Sequence, residues 1–127
     1  MGEINLQIEV VMDYLYPLQK KNKNFEFFAS LNEAALKGSS GRSKNTRMAL
    51  ISTLKKMGLK NGIPDLVFLV KGGKVFFIEL KTESGVLSEN QKFRIPILED
   101  LGFSVYVCRS LDDVRGVFKS EGLDDLD

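Results

Sequence analysis

Two carboxylates and one amine lie where the sequence predicts that two neighbouring strands meet, at Asp65, Glu79 and Lys81. Side chains alternate along a β-strand, so Glu79 and Lys81 point to the same side of theirs. Oxygen ligands of this kind suit Mg²⁺, which binds one or two carboxylates and completes its coordination with water and phosphate. Such a cation supports phosphodiester hydrolysis, and Lys81 would orient the attacking water or stabilise the developing negative charge.

The structural alternative for these residues is an ordinary ion-pair cluster at the end of a strand. Glu and Lys at this spacing are common in strands, and a surface pair contributes only about 0 to 1 kcal/mol to stability. The position of Asp65 directly after Pro64, at the matching end of a predicted hairpin, favours the functional interpretation.

A β-hairpin would bring the three groups together. The apolar runs DLVFLV and VFFIELK flank a Gly-Gly pair, which favours a two-residue turn. Counting outward from this turn, we expect Val70 opposite Val75 and Asp65 opposite Leu80, to within one residue of register.

The other elements follow from apolar periodicity and from capping signals. We expect a first helix that ends near Pro17 and buries Ile4, Ile8, Val11, Leu15 and Leu18, then a strand over Phe25–Leu31 and a basic Gly/Ser loop over Lys37–Arg47. There follow a helix around Met48–Met57, a helix capped by Ser88 that kinks or breaks at Pro96, a strand over Phe103–Cys108 and a last helix capped by Ser110. This order predicts an α/β fold with a mixed four-stranded central sheet flanked by helices.

Length and composition restrict the class of protein. The chain has 127 residues, of which 43% are apolar and 28% charged, so we expect one globular domain over residues 1–120 and an acidic tail over residues 121–127. Without an apolar run of about 18 residues or a signal-peptide pattern, we expect a soluble, cytoplasmic protein that makes no membrane contact. With no His and the single Cys108, neither an internal disulfide nor a zinc site of the usual kind can form.

Basic residues are concentrated between positions 20 and 60, where ten Lys or Arg face two acidic residues. This imbalance predicts contact with a polyanion, and the alternative is a solvated charged face. The residues that we expect to contact phosphates are Asn32, Lys37, Arg42, Lys44, Arg47, Lys55 and Lys56. No base-reading motif is present, so we expect recognition of nucleic-acid shape rather than sequence.

A resemblance to a known family rests on four segments, which are Gly62-Ile63-Pro64-Asp65, Ile78-Glu79-Leu80-Lys81, Gly85, and Leu87-Ser88 with Gln91. Together they resemble the PD-(D/E)xK nuclease signature in the form of virus-type replication-repair nuclease (VRR-NUC) domains, of the stand-alone phage type. The likeness spans roughly Glu3 to Val117 and implies a restriction-endonuclease-like fold. It also implies metal binding by Asp65, Glu79 and the main-chain carbonyl of Leu80, with Lys81 as the catalytic lysine and Gln91 as a catalytic helper.

The family also has a glutamate on its first helix, and here Glu3 and Glu9 compete. On a helical wheel Glu3 flanks the face that we expect to be buried, whereas Glu9 lies more than a right angle away. We therefore choose Glu3 as the catalytic and metal-binding glutamate. The structural alternatives are a first-turn Glu favoured by the helix dipole and, for Gln91, a capping-box residue without a catalytic role.

These observations predict a Mg²⁺- or Mn²⁺-dependent endonuclease that cuts branched, flap or junction DNA in phage or mobile-element replication, recombination or repair. The resemblance implies a homodimer, and replication or recombination proteins are possible partners. Two alternatives stay open: a degenerate nucleic-acid-binding module or partner-dependent nuclease subunit, and a structural α/β domain. We assign Met12, Tyr14, Tyr16 and Met48 to packing or to a dimer face.

Overall fold

The structure is a computed structural model that describes residues 2–31 and 43–124. Its centre is a four-stranded sheet in the order β1-β2-β3-β4, with strands Phe25–Ala29, Leu66–Val70, Lys74–Leu80 and Ser104–Cys108. β1 pairs with β2 and β2 pairs with β3 in antiparallel fashion, and β4 is parallel to β3. The helices are α1 (Glu3–Val10), α2 (Tyr16–Lys21), α3 (Lys44–Lys56), α4 (Glu89–Asp100) and α5 (Leu111–Ser120). The predicted α/β fold with a mixed sheet and flanking helices is confirmed.

The core forms between one face of the sheet and the helices α1, α2 and α5. Alternate strand residues such as Phe68 and Phe76 are fully buried there, and the Phe118 ring of α5 contacts the Phe68 ring edge to face at 5.4 Å. Burial of each large apolar side chain contributes about 1.5 to 3 kcal/mol. This packing holds the N-terminal helix near the end of β3, where Glu79 and Lys81 lie.

The first helical segment buries a different face from the predicted one. Its buried residues are Leu6, Val10, Leu15 and Leu18, whereas Ile4 and Ile8 are 51% and 55% exposed. The reason is a π-helical turn over Val11–Leu15, between α1 and α2. A π turn has more residues than an α turn, so the buried positions are not spaced at the α-helical period throughout.

Pro17 and Pro96 both lie within helical stretches that continue beyond them. Pro17 is the second residue of α2, directly after the π turn, and the helix continues to Lys21. Pro96 lies within α4, which runs unbroken to Asp100. The predicted helix end near Pro17 is therefore wrong, and of the kink or break predicted at Pro96 the break does not occur. In α4 the capping box at its start and the buried side chain of Ile95 offset the cost of the proline, about 3 kcal/mol.

The hairpin between β2 and β3 has a register one residue away from the predicted pairing, within the stated tolerance. Lys74, and not Val75, pairs with Val70, because the connection is the three-residue loop Lys71–Gly73. Gly73 has a φ of 94°, the left-handed conformation that three-residue hairpin loops require. Extending this register past Leu66 places Asp65 opposite Glu79, on the same face of the sheet.

The packed domain continues past the end of α5. Leu123 is buried in the core, and its carbonyl accepts a hydrogen bond of 2.8 Å from Asn22. The Glu121 carboxylate accepts a hydrogen bond of 2.7 Å from the Tyr106 hydroxyl and forms an ion pair with Lys74. In the ranges that the structure describes, no helix is both long and apolar enough to span a bilayer.

Candidate active site

Glu79 and Lys81 project from the end of the central strand β3. Their side chains are only 2% and 8% exposed, so the acid and the base lie in a desolvated environment. The Lys81 N–H donates to the Cys108 carbonyl at 2.9 Å, which extends the parallel pairing of β3 with β4 as far as the site. The neighbouring strand therefore fixes the backbone that carries both side chains.

Asp65, the residue that directly precedes β2, extends its side chain to the same place. Its Oδ2 accepts a hydrogen bond of 2.7 Å from the Leu80 N–H, on the strand that carries Glu79. Its main chain is held from the other side by Ser30, whose N–H donates to the Asp65 carbonyl at 2.8 Å. The Ser30 hydroxyl also donates to the Pro64 carbonyl at 2.7 Å. The predicted convergence of Asp65, Glu79 and Lys81 is thus present in the structure.

Gln91 joins the site from the first turn of α4 and has two partners at once. Its Oε1 accepts the Ser88 N–H at 2.8 Å as part of the capping box, and its Nε2 donates to Glu79 Oε2 at 2.9 Å. The structural and site interpretations of Gln91 are therefore compatible. The loop before β2 lies directly against this helix start, since a Cβ atom at Gly62 would lie 2.2 Å from the Asn90 carbonyl oxygen.

Glu3 reaches the site from the start of α1. Its Oε1 lies 3.3 Å from Lys81 Nζ, which is also 3.7 Å from Glu79 Oε2. Glu3 lines the same cleft as the other site residues, whereas Glu9 is not among the residues that line it. The choice of Glu3 agrees with this geometry, although the helix face used to argue for it was partly wrong.

The carboxylates carry more negative charge than their surroundings balance. Burial, followed by the nearby charge of Asp65, raises the pKa of Glu79 to about 8. Burial also raises the pKa of Asp65, and the hydrogen bond from the Leu80 N–H opposes this. Glu79 Oε1 is buried and accepts no hydrogen bond from the described residues. Without a cation, the site thus favours a proton on this carboxyl group.

A hard divalent cation fits this donor set. Among residues 2–31 and 43–124, no three Asp, Glu, Cys or His side chains converge on one metal position. A cation at Asp65 and Glu79 would therefore need main-chain oxygen or water as further ligands, and Mg²⁺ commonly binds in this way. The buried Glu79 Oε1, which has no donor in this part of the chain, is the atom that a cation would satisfy.

The site opens into a cleft of about 640 Å³. Besides the site residues, the cleft is lined along the first helical segment by Gln7 and by the apolar residues Ile4, Ile8, Val11, Met12 and Tyr16. Met12 and Tyr16, which we assigned to packing or to a dimer face, line this cleft and are 58% and 50% exposed. Their signal in the sequence is the four-residue spacing with Ile4 and Ile8, which forms a second apolar stripe beside the buried one.

Arg109 is a further residue whose role was not predicted from the sequence. Its guanidinium donates hydrogen bonds to the carbonyls of Thr82, Glu83 and Gly85, and so holds the loop between β3 and α4. A Cβ atom at Gly85 would lie 2.9 Å from the Thr82 hydroxyl. The compact turn that connects Lys81 to the capping box explains why Gly85 belongs to the motif.

The predicted nucleic-acid-binding residues lie away from this cleft where the structure describes them. Lys44, Arg47, Lys55 and Lys56 are all on α3, a helix without a buried residue, and none of them lines the cleft. Asn32, Lys37 and Arg42 fall outside the described residues.

Comparison with known proteins gives two matches. The sequence model of the VRR-NUC domain matches residues 6–112. A solved structure described as a VRR_NUC domain protein is 24% identical, with a TM-score of 0.51 over 77% of this chain and 94% of that chain. At this identity the structural match supports the fold. None of the curated proteins matches the chain significantly.

Proposed function

We propose that this chain, which belongs to the VRR-NUC family of nuclease domains, is a Mg²⁺- or Mn²⁺-dependent DNA endonuclease. The observation that carries this proposal is the contact between Asp65 and Glu79 in a cleft, with Lys81 beside them. The buried Glu79 carboxylate, the partly buried Asp65 carboxylate and the buried Lys81 ammonium form a set that binds a cation and a phosphate group together.

Each residue takes a separate role in this proposal. Asp65 and Glu79 hold the cation, with the main-chain carbonyl of Leu80 and water as further ligands. When bound, a cation held there would supply Lewis-acid chemistry, which polarises a phosphate group and lowers the pKa of a water molecule. Lys81 donates hydrogen bonds to the phosphate oxygens, where negative charge increases as water attacks.

The outer residues of the site orient the inner ones. Gln91 orients Glu79 through their hydrogen bond of 2.9 Å. Glu3 positions the Lys81 ammonium across 3.3 Å. The direct bond from Glu3 to the cation that the sequence predicts would require the Glu3 side chain to move, because the three carboxylates do not converge on one metal position within residues 2–31 and 43–124.

The charge balance argues against a purely structural ion-pair cluster. In the described part of the chain, three carboxylates, those of Glu3, Asp65 and Glu79, surround the single ammonium of Lys81. Buried ion pairs are tolerated when the charges compensate each other, and uncompensated buried charge is strongly destabilising. An arrangement with surplus carboxylate therefore fits a cation site better than a structural pair.

The substrate that we propose is branched, flap or junction DNA, recognised by its shape. This part of the proposal rests on the basic segment, on the lack of a base-reading motif and on the resemblance to phage-type domains. The resemblance also supports a homodimer and a setting in phage or mobile-element replication, recombination or repair, with proteins of those processes as further partners.

Cleavage of a DNA panel tests the proposal. We expect Mg²⁺ or Mn²⁺ to support cutting of flap or junction DNA, and EDTA to abolish it. Lys81→Ala should lose cleavage by about 100-fold or more while it still binds DNA, as expected for loss of a transition-state contact. The matched control is Lys92→Ala, whose side chain is exposed on α4, and this variant should cut like the wild type.

Two outcomes would contradict the proposal. Cutting that persists in EDTA would exclude metal-dependent hydrolysis. Wild-type protein that binds DNA but cuts no substrate with either metal would favour a degenerate binding module or a subunit that requires a partner. A direct readout is Mn²⁺ binding, measured by calorimetry, which should be lost in Asp65→Asn.

A further inference from the structure

A second groove lies next to the candidate active-site cleft, and Tyr16 lines both. This second groove has a volume of about 760 Å³ and runs between α2, the turn that follows it and the loop between β2 and β3. We call it the lysine groove, because Lys20, Lys23 and Lys71 line it. The cleft and the lysine groove thus form one path along the first two helices.

The framework of the lysine groove is held by hydrogen bonds. The Lys71 N–H donates to the Asn24 carbonyl at 2.7 Å, and the Asn24 N–H donates to the buried Asn22 side chain at 2.8 Å. These bonds tie the turn that carries Lys23 to the hairpin loop that carries Lys71. The positions of the lysine residues are therefore set by the fold, while their side chains remain exposed.

The groove carries net positive charge. No acidic side chain within residues 2–31 and 43–124 forms an ion pair with Lys20, Lys23 or Lys71. Glu26 is the acidic residue that lines the groove, and its carboxylate accepts hydrogen bonds of 2.8 Å from Gln19 and from the Phe27 N–H. Three ammonium groups beside one carboxylate fit a chain of phosphates.

The wall between the carboxylates and the lysine groove is largely apolar, with Gln7 as a polar residue among its apolar neighbours. Ile4, Ile8, Met12 and Tyr16 follow one another every four residues and are 50% to 58% exposed. The Tyr16 ring is held in place by Phe27, with 5.3 Å between the ring centroids. Unpaired bases expose apolar faces that stack on such a wall, whereas a duplex hides these faces and presents mainly phosphates.

We infer that an unpaired strand of the DNA substrate runs along this path, from the carboxylate pair to the lysine groove. Its bases lie on the apolar stripe and Tyr16, and its phosphates contact the three lysine side chains. The segment from Glu3 to Lys20 extends about 25 Å at 1.5 Å per residue. This length holds about seven nucleotides at the 3.4 Å spacing of a stacked strand. The inference rests on the proposed function and assigns the binding path of the substrate's single-stranded arm.

The test is binding in EDTA, where the proposed cleavage cannot occur, measured by fluorescence anisotropy. The probes are one duplex with a blunt end and the same duplex with a single-stranded arm of two or of ten nucleotides. We expect the ten-nucleotide arm to raise the affinity at least tenfold over the blunt end, and the two-nucleotide arm to have little effect. Equal affinity for all three probes would overturn the inference and leave the groove to a protein partner.

Two variants with matched controls locate the strand. Tyr16→Ala should lose about 5- to 150-fold in affinity for the long arm, the range for loss of one stacking contact, and Tyr16→Phe should restore it. The double variant Lys20→Gln/Lys71→Gln should reduce the slope of log affinity against log salt concentration by about 1.4, since each contact with a single-strand phosphate contributes about 0.7. Phe93→Ala and Lys92→Gln/Lys119→Gln, which lie outside both grooves, should bind within twofold of the wild type.

Failure of this inference and failure of the proposed function give different results. If Tyr16→Ala and the lysine variant bind and cut armed DNA like the wild type, the strand path is wrong and the nuclease proposal stands. If armed DNA binds through Tyr16 but is never cut with Mn²⁺, the nuclease proposal is wrong and the strand path stands. Thermal unfolding of each variant confirms that the compared proteins are folded.

Discussion

Replacing Glu79 with Gln should stabilise the metal-free protein, although Glu79 is central to the proposed site. The Glu79 carboxylate is buried beside Asp65, and its Oε1 accepts no hydrogen bond from the described residues. Gln removes the charge, keeps the shape and retains an oxygen that can accept the Gln91 hydrogen bond. The new amide group can also donate to a carboxylate, which the ionised glutamate cannot do.

The magnitude follows from the raised pKa of Glu79. This pKa is about 8 in the folded protein and 4.5 ordinarily, so the folded state retains a proton that the unfolded state releases as the pH rises above 4.5. The wild type therefore loses stability between pH 4.5 and pH 8, by about 5 kcal/mol at most. Gln carries no charge at either pH. We expect the variant to exceed the wild type by about 2 to 5 kcal/mol at pH 8, and to match it near pH 4.

Urea unfolding in EDTA, followed by circular dichroism at both pH values, measures this difference. Mn²⁺ should then stabilise the wild type, by about 2.7 kcal/mol at a hundred times its dissociation constant, and leave Glu79→Gln unchanged. Glu83→Gln in the exposed loop after β3 is the matched control, and its stability should equal that of the wild type under each of these conditions. If Glu79→Gln is less stable than the wild type at pH 8 in EDTA, Glu79 is part of a stabilising ion pair with Lys81 and the reasoning fails.

Three further predictions concern single residues. Gly62→Ala should lower the free energy of unfolding in urea by more than about 2 kcal/mol and weaken Mn²⁺ binding, because its Cβ would overlap the main chain of α4. The control is Gly58→Ala, which has open space around its Cβ and should lower the free energy of unfolding by less. Gln91→Glu should keep the capping box and the helix content, because Glu can also accept the Ser88 N–H. It should lower the rate of cleavage at least tenfold, because a further carboxylate would then lie against Glu79. An unchanged rate would limit the role of Gln91 to capping. Cys108, whose pKa burial raises to about 12, should resist alkylation in the folded protein and react fully in urea; rapid reaction without urea would contradict its burial.

The parts of the site that depend on local chemistry could be predicted from the sequence. The capping box at Ser88 and Gln91 is a short-range pattern, and the alternation that pairs Glu79 with Lys81 is a property of any strand. The hairpin that adds Asp65 was predictable to one residue, because the Gly-Gly pair marks the turn without setting the length of the loop. Each of these inferences uses contacts within a single element or between adjacent ones.

The inferences that depended on distant packing were less successful. The face of α1 could not be assigned because two apolar stripes compete, one through Leu6 and Val10 and the other through Ile4 and Ile8. Both stripes match a helical period, and the π turn after Val10 changes their relation to the later residues Leu15 and Leu18. Only the sheet and α5, which supply the partners of the first stripe, decide which one is buried.

The stripe that stays exposed has a consequence for the function of the cleft. A helix on the surface of a small domain can bury one face against the core, so a second apolar face remains in water unless something else covers it. Ile4, Ile8 and Met12 lie on this face, beside the carboxylate pair. Replacing them with polar residues would not open a cavity in the core, so their apolar character is not required by packing. A ligand that brings both phosphate and apolar surface to the cleft contacts the cation site and covers the stripe in a single binding event, which a metal ion alone cannot do.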